Sequence, residues 1–175
     1  MIPASALPGD FVLIHMAGDV GKLIRVAQFL NGTGPGDFEH AAIYIGGAKG
    51  KEKMIESRPR GTGFQDAHHY DRTETLWSSD FLDIPYSQRM MIIKAARDYI
   101  GTSYSWEDYG ALLLHRLNVP APGLRQYIQS SKHMICSQLI DQCYQDAGVH
   151  LFDDNRWPGY VTPGDLWQLL KSRKG

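Results

Sequence analysis

A chain of 175 residues with 43% apolar, 21% charged and 11% aromatic residues has the makings of one folded domain, residues 1–175, and not of a disordered or fibrous protein. Eighteen Lys and Arg against nineteen Asp and Glu leave a formal net charge of −1, which supplies no field for a nucleic-acid backbone or an anionic membrane. The apolar runs Ala41–Ile45 and Ala111–Leu114 fall far short of the roughly twenty residues of a membrane span.

The opening residues, through Met16, lack the basic start and long apolar stretch of a secretory leader. As written the chain reads as cytoplasmic, with export by another route left open. Pro8-Gly9-Asp10 is a turn that launches a short strand from Phe11 to Ile14, and apolar spacing predicts a helix from about Asp19 to Leu30, ended by Asn31-Gly32. After a glycine-rich loop, His40 to Ile45 reads as a strand covered on both faces. Lys53 to Ser57 is its hairpin return, with further strands at Thr62–Gln65, Glu74–Trp77 and Phe81–Ile84. Ser87 is the expected N-cap of a helix running to Ile100. Helices are also predicted for Trp106–Leu117, for Cys136–Ala147 closed by Gly148, and from the cap-and-proline pair Thr162-Pro163 to about Leu170; Leu124–Gln129 suits one short turn. Strands in the first half and helices in the second argue an α+β fold with an antiparallel sheet packed against helices.

Cys136 and Cys143, the two cysteines, sit about 10 Å apart along one predicted helix, which excludes a disulfide and a cysteine-built zinc site. Cys136 opens that helix, where unpaired backbone N–H groups and the positive end of the dipole stabilise an anion and can cradle a developing oxyanion. A buried structural cysteine is the competing reading of this position taken alone. Cys143 lies mid-helix, where the backbone groups are already paired, and reads as core.

His40 begins the most apolar strand, with His40, Ala42 and Tyr44 on one face and Ala41, Ile43 and Ile45 on the other. Small Ala42 leaves room for a helix end against the histidine's face. In the neighbouring antiparallel strand, Glu56 falls near the histidine's end and can hold the imidazole ring, the third role that a cysteine and histidine pair needs. A surface carboxylate is the alternative. His68-His69 invite a metal reading, but adjacent histidines point apart, so a solvated loop is expected and no metal is assigned.

The segments His40-Ala-Ala-Ile-Tyr-Ile-Gly46, Met54-Ile-Glu-Ser57, Gly61-Thr-Gly-Phe64, Gly101-Thr-Ser-Tyr104 and Cys136-Ser-Gln-Leu-Ile140 together resemble the circularly permuted papain-like hydrolases of the YiiX and YaeF type, relatives of the NlpC-type cell-wall peptidases. The histidine here precedes the cysteine by 96 positions, the permuted order. The resemblance implies a permuted papain-like fold with Cys136 as nucleophile, His40 as general base, Glu56 as orienting group and Tyr104 lining the substrate cleft. It departs from the pattern at Ile135 and Gln138, where many relatives have an aromatic or polar residue and a Glu, so different substrate handling near the helix end is expected.

The function this implies is a thiol peptidase or amidase, without cofactor, cleaving an amide bond in a peptide such as a cell-wall stem. Two alternatives remain: a lipid-directed acyl hydrolase or transferase using an apolar groove along Trp106–Leu117, and a non-catalytic peptidoglycan-binding relative. The natural substrate and the oligomeric state are left open.

Overall fold

The structure, a computed structural model, describes residues 1–16, 37–103, 134–154 and 156–173. The helices expected at Asp19–Leu30 and Trp106–Leu117 and the turn at Leu124–Gln129 lie outside these residues. Within them the architecture is α+β. Five strands, β1 (Phe11–Ile14), β2 (His40–Gly46), β3 (Lys53–Arg58), β4 (Gly61–Asp66) and β5 (Thr75–Trp77), form one sheet in the order β4-β3-β2-β1-β5, every neighbour antiparallel. Three helices follow: α1 (Tyr86–Asp98), α2 (Cys136–Asp146) and α3 (Pro163–Ser172).

The period-2 alternation of β2 divides the core in two. Ala41 and Ile43, with Phe11, Leu13 and Ile55, pack under the helices against Ile92, Leu139, Ile140, Tyr144, Leu166 and Leu170. Ala42 and Tyr44 join Val12, Ile14, Met54, Ala67, Tyr70 and Trp77 on the opposite face. The helix α2 follows from its own spacing: Cys136, Leu139, Ile140, Cys143 and Tyr144 recur at three- and four-residue steps and are all buried. It ends in a Schellman motif, in which Gly148 takes φ +73° and Val149 N–H donates to the Tyr144 carbonyl at 2.8 Å. Thr162 caps α3 as expected, its hydroxyl accepting from Asp165 N–H at 3.2 Å.

Two local expectations are corrected. Phe81–Ile84 is not a strand: a 3-10 turn at Ser78–Asp80 precedes it, and Leu82 and Ile84 bury among the helix-side core residues without joining the sheet. The helix α1 is entered from Pro85, whose extended backbone and carbonyl, accepting from Arg89 N–H at 3.0 Å, start it ahead of Ser87.

Candidate active site

The start of α2 is tied down on both sides of Met134. Met134 N–H donates to the Ser103 carbonyl at 3.0 Å, and Ser57 on β3 donates its hydroxyl to the Met134 carbonyl at 2.5 Å. Ile135 is then fully buried and extended, so Cys136 is the first helical residue. Gln138 accepts from Ile135 N–H at 3.1 Å and donates to the Gly159 carbonyl at 2.8 Å; Ser137 donates to the Val161 carbonyl at 2.7 Å. The first N–H groups of a helix have no intrahelical acceptor, and Ile135 makes no side-chain cap bond to fill them. Among the described residues no side chain fills these donors at the turn that carries the thiol.

His40 stands at the entry to β2, buried, with two partners at its ring. Nε2 is 2.8 Å from Glu56 Oε2, and Cys136 lies close enough to the same ring to act on its charge. The register continued from Ile43–Ile55 sets Ala42 opposite Glu56, so histidine and glutamate are diagonal neighbours and meet across the small alanine. Burial presses the imidazole toward its neutral form. The Cys136 and Glu56 charges, each hydrogen-bonded to it, outweigh burial and hold it up at about 9.

Burial also pushes Glu56 toward protonation, but hydrogen bonds from His40 and Tyr70 and the Arg58 guanidinium hold its carboxyl below the ordinary range. Tyr70, at the end of the 3-10 turn Ala67–Tyr70, donates its hydroxyl to Glu56 Oε2 at 2.7 Å. Arg58 pairs with Oε1 of the same carboxylate through Nε and donates from Nη2 to the Tyr70 hydroxyl. Burial and the adjacent carboxylate keep that phenol well above its usual range, so it stays a donor.

Cys136, His40 and Glu56 are thus in one place, while Tyr104 lies outside the described residues. The helix does not rest against the His40–Ala42 face. Its apolar stripe packs beneath Ala41, Ile43 and Ile55, and Cys136 meets the imidazole at the end of the strand. Gln138, expected to alter substrate handling, is 5% exposed, and both ends of its amide are engaged in tying the helix start to the 3-10 turn Pro158–Tyr160. Cys143 is core, and burial drives its thiol far above the usual range.

Sequence reasoning passed over Arg58 and Tyr70. Arg58 carried a signal, since it is two residues from Glu56 on the same strand face. The arrival of Tyr70 depends on the turn after β4 and has no such periodicity.

No family model matches the chain, and no curated protein does. Among solved structures the chain is similar to YiiX of Escherichia coli O157:H7, described as a metalloprotein, with a TM-score of 0.56 and 16% identity over 96% of this chain and 82% of that one. The chain has a YiiX-type fold. At this identity the likeness speaks for the fold alone. The donors described in this YiiX-type chain do not suit a metal ion. Glu52 and Asp71 sit 2.9 and 3.0 Å from opposite nitrogens of His68, so that ring separates its neighbours. Among the described residues no group of three or more His, Cys, Asp or Glu side chains is placed to hold one.

Proposed function

We propose that the protein is a cysteine hydrolase of the circularly permuted papain-like type, cleaving an amide bond. The observation that carries this reading is the single imidazole of His40, which stands 2.8 Å from the Glu56 carboxylate and is also under the influence of Cys136. In the first step Cys136 Sγ, as the anion, attacks the substrate carbonyl carbon, and the carbonyl electron pair moves onto oxygen beside the N–H groups of the α2 start. Collapse breaks the C–N bond. The His40 imidazolium gives its proton to the leaving amine, which departs and leaves a thioester on Cys136. Neutral His40 then takes a proton from water, the hydroxide attacks the thioester, and the carboxylic acid product leaves as the thiol is restored. Throughout, Glu56 keeps the ring's Nε2 proton in place, which leaves Nδ1 for proton exchange.

The resemblance to NlpC-type enzymes favours a peptide, and among peptides a cell-wall stem, as substrate. The lipid-acyl alternative depended on Trp106–Leu117, outside the described residues, and no observation favours it here.

The test is the rate of iodoacetamide alkylation against pH, with labelled positions read by mass spectrometry. Near pH 7 Cys136 is expected to react faster than a free thiol while Cys143 stays unlabelled. A Cys136 no faster than a free thiol would sink the assignment. Hydrolysis of peptide stems and of phospholipids, each with the parent and Cys136→Ala, then identifies the substrate class, and His40→Ala is expected to lower turnover about 10²- to 10⁴-fold.

A further inference from the structure

Glu56 is 3% exposed, and a carboxylate so far from water persists only with partners. Its two oxygens are used differently. Oε2 accepts from both His40 Nε2, at 2.8 Å, and the Tyr70 hydroxyl, at 2.7 Å, whereas Oε1 takes Arg58. Arg58 closes the figure by donating to the Tyr70 oxygen, and its guanidinium carbon lies 5.8 Å from the centre of that ring. A hydroxyl that accepts from a guanidinium must direct its own proton elsewhere, and the acceptor within reach is Glu56. The phenol proton is thereby committed to one of the Oε2 lone pairs, and the other is left to His40.

We propose that Tyr70 and Arg58 are positioning residues that hold the Glu56 carboxylate ionised and turned toward His40, and so act on the Cys136–His40 pair through it; this rests on the hydrolase reading above. Among the described residues the groups facing Glu56 are His40 from β2, Arg58 from β3 and Tyr70 from the 3-10 turn. His69 stacks edge-on to the Tyr70 ring at 5.0 Å, and Cys136 lies beyond His40. Arg58 fixes the carboxylate plane from one oxygen and Tyr70 selects the orientation at the other. Removing either leaves Glu56 with fewer donors and a greater affinity for a proton. Once protonated, Glu56 no longer supports a charged imidazole.

The experiment compares the parent, Tyr70→Phe, Arg58→Gln, Arg58→Lys, Glu56→Gln and the double variant Tyr70→Phe/Glu56→Gln. Two readouts are followed across pH 4 to 10: Cys136 alkylation, and the ¹⁵N shifts of the His40 side chain. Tyr70→Phe and Arg58→Gln are each expected to move the acid limb of alkylation to higher pH and to slow it about 10- to 100-fold on the acid side. The acid-side inflection sensed at His40 moves the same way, and the Tyr70→Phe effect vanishes in the Glu56→Gln background. Arg58→Lys, which keeps the charge without the fork, recovers part of the shift. Profiles that superimpose on the parent, or a Tyr70→Phe shift undiminished without Glu56, overturn the proposal. The failure of the hydrolase reading looks different: parent Cys136 reacts no faster than a free thiol, and the ¹⁵N titration still decides whether Tyr70 and Arg58 act on Glu56. Unfolding temperatures separate these effects from a loss of fold, which would lower stability without moving an inflection.

Discussion

A histidine held up at about 9 against an ordinary 6.5 binds its proton more tightly in the folded chain than in the unfolded one. The stability this contributes is fully present below about pH 6.5 and is lost as pH rises through about 9. His40→Gln is therefore expected to flatten the fall in melting temperature across that window, read by thermal scans at half-unit steps. Glu56 has the opposite sign. Its depressed carboxyl stabilises the fold above its ordinary 4.5 and loses that contribution as the solution is acidified through its lowered value, so Glu56→Gln flattens the acid side. At this scale the sequence was most legible where a residue's place follows from its own element, as with a cysteine opening a helix and a histidine opening a strand. Tyr70 was opaque because its role depends on two other side chains converging on it. Gln138 was legible as unusual, but its use in binding Ile135 N–H and the Gly159 carbonyl follows from a turn some twenty residues further on.

Among the elements, α2 joins the thiol to the core, and its middle carries a group that resists this burial. Asp141 is fully buried, and burial raises its carboxyl to about 6 despite a hydrogen bond from Gln145 at 3.0 Å. Ionising it opposes folding, so the penalty grows from about pH 3.8 through 6 and is complete at neutral pH. Asp141→Asn should raise the melting temperature at pH 7 and leave it nearly unchanged at pH 3.5. At α3, Thr162→Ala removes the acceptor for Asp165 N–H and should cost about 1 kcal/mol, read from a urea midpoint. The strands β1 to β5 could be seen beforehand in short apolar runs between turn residues, and both caps of the later helices in Gly148 and Thr162-Pro163. The false strand at Phe81–Ile84 arose because alternating burial looks the same whether a segment pairs with a sheet or packs against helices.

Across the molecule, the sheet and α1 are tied by a buried ion pair. Arg89 Nη1 lies 2.7 Å from Asp10 Oδ1, Arg89 Nε donates to the Ile84 carbonyl at 2.8 Å, and Ser78 donates to Asp10 at 3.3 Å. Gly9, at φ +96°, passes so close that an added Cβ would come within 2.9 Å of Arg89 Cβ. Arg89→Ala would leave Asp10 charged and enclosed, and is expected to cost about 3–5 kcal/mol in denaturant unfolding. That tie was not foreseen from the sequence, because it joins residues far apart along the chain.

The order of the elements also bears on how the protein is made. His40 and Glu56 belong to a sheet whose strands all precede Cys136. On a ribosome adding about 5–20 residues per second, the sulfur follows the imidazole by roughly 5–20 s. Hairpins β2–β3 and β3–β4 can pair locally during that interval. The nascent chain thus completes the His40–Glu56 pair before Cys136 emerges, and a relinked version with α2 translated first would carry that thiol without the pair through most of synthesis.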